Sequence, residues 1–417
     1  MVIRQLAAER YKTYADRTVV SCRPFTILVG KNNSGKSAIA RSLPLIAGSL
    51  ALSSHDRDII PLSSHGIVHG IEFVDIITNR SAHGSVVLEI QIDDINLNAS
   101  IQNFVRSGRV IRQQVTHWKL TGSGRFVELD SVGIDAPPGQ FRVSTEAAVD
   151  AHVADDVRWD GLRPRLRVDA LASSLEWVAA RMDELAQWSA GLRYLASPRR
   201  PQALFATPGG TAEAVEGLAH DGANVGRILA ADDQRRLAVR EWFHESLEKV
   251  VLDVREQGPA SFIEVRQGSD AGSVMLDQAG QGIAQVLPVV ALALGRGSAG
   301  PGIDVIEHPE AELHPAAHAA VAELLLKSVR APGRPLLIET HSEMILLRTR
   351  RWVAEGRLDP SDVIVYWIQQ TDDGHASVRP ISISRSGDLD GWPDGVFYED
   401  YEEVLAIRRA ARRGAGA

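Results

Sequence analysis

Phe25-Thr-Ile-Leu-Val-Gly-Lys-Asn-Asn-Ser-Gly-Lys-Ser37 is the stretch of this sequence that decides the fold. An apolar run of strand length leads directly into Gly30-x4-Gly35-Lys36-Ser37, the phosphate-binding P-loop pattern in its strand-to-helix setting. Glycine allows positive φ angles and lets backbone N–H groups approach phosphate oxygens closely. The pattern therefore predicts an α/β nucleotide-binding domain whose first helix begins at this loop.

The loop also carries the polar groups that a magnesium nucleotide requires. Lys36 can reach the terminal phosphates, and Ser37 offers a hydroxyl group to Mg2+. The helix that begins here directs the positive end of its dipole at the anion. We predict that nine consecutive residues bind the nucleotide: Gly30, Lys31, Asn32, Asn33, Ser34, Gly35, Lys36, Ser37 and Ala38.

Composition restricts the surroundings in which this domain works. The chain has 417 residues and a formal net charge of -8, which gives no general attraction to nucleic acid or to an anionic membrane. A single cysteine, Cys22, excludes an intramolecular disulfide and a multi-cysteine zinc site, which fits a reducing compartment. The most apolar helix-like stretch, residues 283–294, is too short to cross a bilayer. We therefore expect a cytoplasmic protein without membrane contact.

Arginine clusters interrupt the acidic background. Runs of like charge usually form solvated faces, but clusters that converged on one face would favour DNA binding. The three clusters comprise Arg163, Arg165 and Arg167; Arg348, Arg350 and Arg351; and Arg408, Arg409, Arg412 and Arg413.

A second acidic motif lies about 270 residues after the P-loop. Residues 302–310 contain an apolar strand that ends at Glu307, the pattern of a Walker B element whose carboxylate helps to hold Mg2+. A glycine-rich helix start precedes it at residues 280–285, and His341 follows another apolar strand at residues 336–338. The order of these four motifs resembles the ATP-binding heads of the ABC class, including SMC and RecF-like proteins, and not the AAA+ or RecA classes.

The residues around the motifs narrow this resemblance. Residues 307–315, Glu-His-Pro-Glu-Ala-Glu-Leu-His-Pro, resemble a run found in the overcoming-lysogenisation-defect (OLD) type ATPases and in related AAA-type proteins of bacterial defence systems. Residues 282–288 and 387–397 resemble the stand-alone branch of that group. Similar segments also occur in that group at the places of residues 194–200 and 221–224.

The resemblance implies a Mg2+-dependent ATPase with assigned residue roles. Glu307 would act on the Mg2+ shell together with Ser37, and His341 would be the switch histidine that senses the γ-phosphate. Gly280 and Gly282 would form a signature loop that contacts the nucleotide of a second subunit, so a homodimer is expected. The alternatives are a histidine that is simply hydrogen-bonded and an ordinary glycine turn before a core helix.

Two positions depart from the usual ABC pattern. His308 stands where such heads carry the glutamate that orients or deprotonates water, and Glu310 is the nearest substitute base. Ala284 stands where relatives often carry a serine. The candidate catalytic residues are thus Glu307, His308, Glu310 and His341, and we expect slow hydrolysis unless a partner completes the site.

The predicted architecture is an ABC-type P-loop head with a mixed sheet, flanking helices and a β-rich lobe. Residues 1–150 contain the P-loop and, from the alternation of apolar residues over 86–92, the β-rich lobe. Residues 151–255 show helical periodicity and predict a mostly helical inserted lobe. Residues 256–417 complete the head with the signature, Walker B and switch-histidine segments.

Function is inferred from motifs that are present and from motifs that are missing. The sequence after His341 predicts no Toprim nuclease domain, and no Cys/His spacing indicates a zinc effector. We expect an ATP-driven head that dimerises and relays its state to a partner effector, such as a nuclease or a toxin, or to DNA, in antiviral defence. The alternatives are a RecF-like DNA-binding repair ATPase and an ATP-gated scaffold that hydrolyses little ATP.

Overall fold

The computed structural model describes residues 1–52, 58–106, 109–133, 139–146, 148–166, 168, 171–206, 217–247, 249–258, 260–268, 272–296, 300–329 and 334–393. Three predicted features lie wholly or partly outside these ranges: the arginine cluster at residues 408–413, Arg167, and residues 394–397 of the segment 387–397. No helix within the ranges is long and apolar enough to cross a membrane.

Strands dominate the N-terminal part of the chain. Its elements are β1 (Ile3–Glu9), β2 (Thr18–Ser21), β3 (Phe25–Gly30), α1 (Lys36–Ala51), β4 (Ser63–Ser64), β5 (Ile67–Val68), β6 (Ser85–Ile92), β7 (Ile95–Arg106), β8 (Arg109–Gly122), β9 (Arg125–Ser131), β10 (Phe141–Thr145), β11 (Ala148–Ala154), β12 (Arg158–Asp160) and β13 (Arg163–Arg165).

Helices and strands alternate in the remainder. These elements are α2 (Ala172–Ala190), β14 (Arg193–Leu195), β15 (Leu204–Ala206), α3 (Val225–Ala231), α4 (Asp233–Ser246), β16 (Val250–Gln257), β17 (Ala260–Gln267), β18 (Val274–Met275), α5 (Gln281–Leu294), β19 (Asp304–Glu307), α6 (Pro315–Ser328), β20 (Leu336–Glu339), α7 (Glu343–Ala354), β21 (Val363–Gln370) and β22 (Ala376–Ile381).

A mixed sheet forms the centre of the molecule. Its strand order is β14-β19-β20-β3-β21-β22, and all neighbours are parallel except the antiparallel pair β21-β22. Strands β3, β19 and β20 are buried along their whole length, as expected for apolar strands covered on both faces. Their carboxyl ends meet at one edge, which is where open α/β sheets bind ligands.

An antiparallel sheet builds the predicted β-rich lobe. Its order is β11-β10-β9-β8-β7-β6-β1-β2. The alternation read from the sequence is correct for β6, because its apolar side chains at every second position are buried: Val86, Leu88, Ile90 and Ile92. This confirms a β-rich lobe next to the mixed sheet.

Two hydrophobic clusters cover the two faces of the mixed sheet. Strand β3 contributes Leu28 to the cluster shared with α1, α2 and the antiparallel sheet. It contributes Ile27 and Val29 to the cluster shared with α5, α6 and α7. Because successive side chains of a strand point to opposite faces, one short strand ties both layers together.

Residues 151–255 are less separate than the predicted helical lobe. They contain α2, α3 and α4, but β14 from this segment lies at the edge of the mixed sheet beside β19. The predicted boundary at residue 255 falls inside β16. The division into three folding units remains a prediction, whereas the strands show that the middle segment completes the central sheet.

Candidate functional site

A cavity of about 410 Å3 opens at the carboxyl end of β3. Residues 32–38 of the P-loop form one side. Its other described lining residues come from the turn between β1 and β2 and from the ends of β19 and β20: Lys12, Thr13, His308, Glu339 and His341. The fold therefore brings the predicted P-loop together with both predicted histidines.

The P-loop has the backbone geometry that its glycines predict. Gly35 has a φ of 103°, in the left-handed region, and its carbonyl accepts a hydrogen bond from the Tyr14 hydroxyl (2.9 Å). A Cβ atom added at Gly30 would lie 2.0 Å from the Ile368 carbonyl oxygen on the neighbouring strand. Both glycines are thus required by the space and the backbone conformation of the loop.

Lys36 lies over the loop that it follows. Its ammonium donates to the carbonyl oxygens of Gly30 (3.0 Å) and Lys31 (2.7 Å). Burial lowers the pKa of Lys36, while the charge of Glu339 acts in the opposite direction. An ammonium that donates to two neutral carbonyl groups in this position is suited to an anionic ligand.

Buried polar atoms without a hydrogen-bond partner indicate whether a magnesium nucleotide fits this cavity. Within the described part of the chain, Ser34 Oγ and Glu339 Oε2 are buried and have no hydrogen-bond partner. Such groups are costly unless a ligand, ion or water satisfies them. Hydroxyl and carboxylate oxygens are the ligands that Mg2+ prefers. The ammonium and the N–H groups of the P-loop suit a phosphate chain. The residues present fit both groups.

Glu307, the predicted Walker B residue, ends β19 as expected but its oxygens are occupied. Arg41 Nε donates to Oε1 (2.7 Å) and Arg41 Nη2 to Oε2 (3.1 Å). The Tyr194 hydroxyl donates to Oε1 (2.5 Å), and the Ser197 N–H donates to Oε2 (3.1 Å). Burial alone would raise the pKa of Glu307, but the hydrogen bond and charge of Arg41 lower it. Glu307 is therefore a buried, fully hydrogen-bonded anion.

Glu339 is a site residue that the sequence analysis did not select. It ends β20 directly beside Glu307, and its Oε1 accepts a hydrogen bond from Ser37 Oγ (2.9 Å). Burial, together with the charge of Glu307, raises the pKa of Glu339 to about 7. Its signal in the sequence is the same as that of Glu307, namely an apolar strand that ends in an acid.

The two predicted histidines lie against each other. The rings of His308 and His341 are stacked, with centroids 5.0 Å apart and an angle of 11° between their planes. Burial and the nearby Lys36 lower the pKa of His341 to about 4, and burial also lowers the pKa of His308. Both rings are thus neutral at pH 7, so each can accept a hydrogen bond or a proton.

Glu310, the other candidate base, is directed at the backbone of the switch histidine. Its Oε1 accepts a hydrogen bond from the His341 N–H (2.9 Å), and its Oε2 is buried without a partner among the described residues. It is not one of the described residues that line the cavity, whereas His308 is. The geometry therefore favours His308 over Glu310 for contact with a bound ligand.

The predicted signature glycines lie away from the cavity of their own chain. Neither is among its described lining residues. Gly280 precedes α5 with open space around it, whereas a Cβ atom added at Gly282 would lie 2.6 Å from the Glu312 carbonyl oxygen. Their predicted contact with the nucleotide of a second subunit stays a prediction.

A buried arginine joins α5 to the end of β19. The Arg199 guanidinium donates to the carbonyl oxygens of Gln285 (3.2 Å), Glu307 and His308 (3.2 Å). Burial lowers the pKa of Arg199 to about 10. Segment 194–200, which the sequence linked to OLD-type proteins only by resemblance, thus supplies hydrogen bonds to Glu307 and His308.

A buried ion cluster supports the other end of β19. Asp304 is fully buried and accepts hydrogen bonds from Arg193 (2.7 and 2.8 Å), Arg334 (2.9 Å) and Arg296. Burial alone would raise the pKa of Asp304, but the hydrogen bonds and charge of Arg193 lower it. The cluster is structural, since Asp304 lies three residues before Glu307, at the opposite end of the strand.

The described members of the arginine clusters have partners within the chain. Arg163 and Arg165 pair with Asp183 and Asp160. In the second cluster, Arg348 pairs with Glu323, Arg351 pairs with Glu355, and Arg350 donates to the Gly387 carbonyl oxygen. These pairings agree with solvated faces.

Comparison with known proteins identifies the family. The model of the family described as "AAA domain, putative AbiEii toxin, Type IV TA system" matches residues 25–348. No curated protein matches the sequence. With the P-loop on a mixed sheet, the family match supports the prediction of an ABC-type P-loop ATPase; the narrower likeness to OLD-type proteins stays a prediction.

Solved structures of SMC heads are similar at low sequence identity. The SMC head domain from Thermotoga maritima is 12% identical, with 91% of this chain and 99% of that chain covered and a TM-score of 0.41. An Smc head domain with an extended coiled coil, bound to the C-terminal domain of ScpA derived from Pyrococcus furiosus, is also 12% identical, with 98% and 99% covered and a TM-score of 0.43. At TM-scores below 0.5 these likenesses do not indicate function.

Proposed function

We propose that this chain, which belongs to the AAA-domain family whose model spans residues 25–348, binds ATP with Mg2+ in the P-loop cavity and hydrolyses it. One observation carries the proposal: the cavity unites residues 32–38 with His308, Glu339 and His341. Loop N–H groups, an ammonium, a carboxylate and neutral imidazoles thus surround one space, which is the equipment for phosphoryl transfer to water.

Each residue has a task that follows from its position. Lys36 would exchange its contacts with the Gly30 and Lys31 carbonyl oxygens for phosphate oxygens. Ser37 would hold Mg2+, which when bound neutralises charge on the phosphates. His341, neutral and next to Lys36 in the cavity wall, would accept or donate a hydrogen bond at the terminal phosphate and so detect its presence.

In this proposal His308 is the general base that activates water. A neutral imidazole can accept a proton, and His308 lines the cavity. Glu310 would position the backbone of His341 instead. An imidazole with a lowered pKa is a weak base, so we expect slow turnover by the isolated chain.

We also propose that the chain forms a homodimer around ATP. The support is that Gly280 and Gly282 do not line the described part of the cavity of their own chain. Helix α5, which begins between them, is joined to Glu307 and His308 through Arg199. A two-fold axis would bring the glycines of each subunit to the nucleotide of the other. Light scattering of the Glu310→Gln and His308→Ala variants, each with and without ATP, tests this. If both variants stay strictly monomeric with ATP, the homodimer is contradicted.

The dimer is proposed to relay its ATP state to an effector in antiviral defence. The support is the resemblance of residues 307–315 to OLD-type ATPases and the toxin–antitoxin system in the description of the family. A RecF-like DNA-binding ATPase is less favoured, because the described members of the arginine clusters pair with acids or carbonyl groups of the chain. Co-purification with the products of neighbouring genes, with and without ATP, tests the relay.

An ATP-gated scaffold is the second candidate function. The observation that favours it is the full hydrogen bonding of Glu307 by Arg41, Tyr194 and Ser197, which ties up one of the carboxylates at the site. Release of phosphate from ATP by the purified chain, with Mg2+ and with EDTA, separates the two functions. Mg2+-dependent release supports the ATPase, and tight ATP binding without release supports the scaffold.

A further inference from the structure

We propose that Glu339, and not Glu307, is the carboxylate of the divalent-cation site. The inference rests on the proposed nucleotide function and deepens it, because it assigns the cation to Glu339 in place of Glu307, the residue that the sequence pattern indicates. The cation expected there is a hard one, Mg2+ or Mn2+, with oxygen ligands.

The two acids differ first in which residue of α1 they contact. Ser37 and Arg41 are four residues apart and lie on the same face of the helix, about one turn from each other. Their contacts, Glu339 and Glu307, end adjacent parallel strands and are paired in register. Ser37 donates to Glu339 (2.9 Å) and Arg41 donates to Glu307 (2.7 Å). The hydroxyl that would bind the cation therefore meets Glu339, and a guanidinium meets Glu307.

Glu307 has no free oxygen to offer. Both of its oxygens accept from Arg41, and each accepts one further hydrogen bond, from the Tyr194 hydroxyl or from the Ser197 N–H. The guanidinium of Arg41 would also repel a cation placed beside it. Binding at Glu307 would require these charge-assisted bonds to be broken first.

Glu339 has one oxygen that is bound and one that is free. Its Oε1 accepts from Ser37, whereas Oε2 is buried without a hydrogen-bond partner in the described parts of the chain. The residue lines the cavity and is only 2% exposed. An unpartnered carboxylate oxygen in such a place is costly, and a cation would satisfy it.

Strand order supports the same choice. Strand β20 lies between β19 and β3, so Glu339 is paired with Leu28 of the strand that leads into the P-loop. Glu307 lies one strand further away, a distance of about 4.8 Å in a sheet. Glu339 is therefore the acid on the strand next to the P-loop strand, and it is the acid that contacts Ser37.

The test measures how much a divalent cation strengthens binding of a non-hydrolysable ATP analogue. Calorimetric titrations with Mn2+ and with EDTA give two affinities for each protein, and their ratio reports the cation site without any catalytic turnover. The variants are Glu339→Gln, Glu307→Gln and, as a matched control, Glu241→Gln, whose side chain is exposed on α4.

We expect the ratio to fall at least about tenfold in Glu339→Gln, with the EDTA affinity changed by less than about threefold. The ratio should stay within about threefold of the wild-type value in Glu307→Gln and Glu241→Gln. If Glu339→Gln does not fold, Glu339→Asp, which keeps the charge but shortens the side chain, should lower the ratio at least about threefold.

The results separate this inference from the function beneath it. The inference is overturned if Glu339→Gln keeps the wild-type ratio of the Mn2+ and EDTA affinities. If that variant does not fold, the same result for Glu339→Asp overturns it. A ratio that is lost only in Glu307→Gln overturns it as well. A wild-type protein that binds the analogue equally well with Mn2+ and with EDTA overturns it too. A wild-type protein that binds no analogue under either condition contradicts the nucleotide function itself.

Discussion

Gln285 and Arg199 hold each other through a reciprocal pair of hydrogen bonds. The Arg199 N–H donates to Gln285 Oε1 (2.7 Å), and Gln285 Nε2 donates to the Arg199 carbonyl oxygen (2.6 Å). Because the Arg199 guanidinium also contacts the carbonyl oxygens of Glu307 and His308, α5 and the end of β19 form one connected unit. A change at the start of α5 can thus reach the candidate catalytic residues through few intervening groups.

We predict that Gln285→Ala uncouples these two elements. It leaves the Arg199 N–H and carbonyl oxygen buried without partners, which should lower the free energy of unfolding by about 1–3 kcal/mol. ATP affinity should change less than about threefold because Gln285 does not line the cavity, while turnover should fall at least about fivefold. The control is Gln234→Ala, an exposed position on α4. Equal turnover in both variants would contradict the coupling.

The second prediction identifies the base. His308→Ala should lower turnover at least about a hundredfold, since general-base contributions are of that order. Glu310→Gln keeps an acceptor for the His341 N–H and should retain turnover within about tenfold. Single-turnover measurements of phosphate release provide the comparison. The reverse order would show that Glu310 is the base.

The third prediction concerns pH and the Glu339 carboxyl in the absence of metal. Its pKa is raised from 4.5 to about 7 in the folded protein, so the folded state holds this proton more tightly than the unfolded state. Its contribution to stability is therefore present in full below about pH 4.5 and is lost as pH rises through about 7. The unfolding free energy of the wild type minus that of Glu339→Gln should fall over this range, by on the order of 1–3 kcal/mol.

Urea unfolding of both proteins in EDTA, at intervals from pH 5 to 8, provides the measurement. Taking the difference between the two proteins removes the titration of all groups that they share. A difference that rises with pH, or that does not change, would contradict the perturbed carboxyl.

The fourth prediction tests the buried ion cluster below the site. Asp304→Ala leaves Arg193, Arg296 and Arg334 without their shared anion and should cost about 3–5 kcal/mol of unfolding free energy. The matched control is Asp253→Ala, which breaks a partly exposed pair with Arg240 and should cost less than about 1 kcal/mol. Thermal unfolding of the two variants, compared with wild type, checks the difference. Similar shifts in both would show that burial of the cluster adds nothing.

Local sequence patterns predicted the parts of the site that lie within one turn or one strand. The P-loop follows its strand, Glu307 ends β19, and His341 follows β20, because each pattern reflects backbone geometry confined to a few residues. The β-rich lobe was equally visible from the alternation in β6. Such signals do not depend on where the rest of the chain lies.

Long-range pairings could not be predicted in this way. Strand β14 is three residues long, and only its pairing with β19, more than 100 residues later, makes it part of the central sheet. The contact between Arg41 and Glu307 spans 266 residues, and no local pattern distinguishes Arg41 from any other helical arginine. Glu339 had the pattern of Glu307, but its contact with Ser37 depends on the order of the strands.

The most direct test of the central claim is the affinity of the purified chain for ATP in the presence of Mg2+, measured by calorimetry for the wild type, Lys36→Ala and the exposed control Lys327→Ala. Removal of the Lys36 ammonium leaves the phosphates without their charge partner in the cavity, so affinity should fall at least about tenfold. Lys327→Ala on α6 should bind as the wild type does. Equal ATP affinity in the wild type and Lys36→Ala would contradict the assignment of this cavity as the nucleotide site.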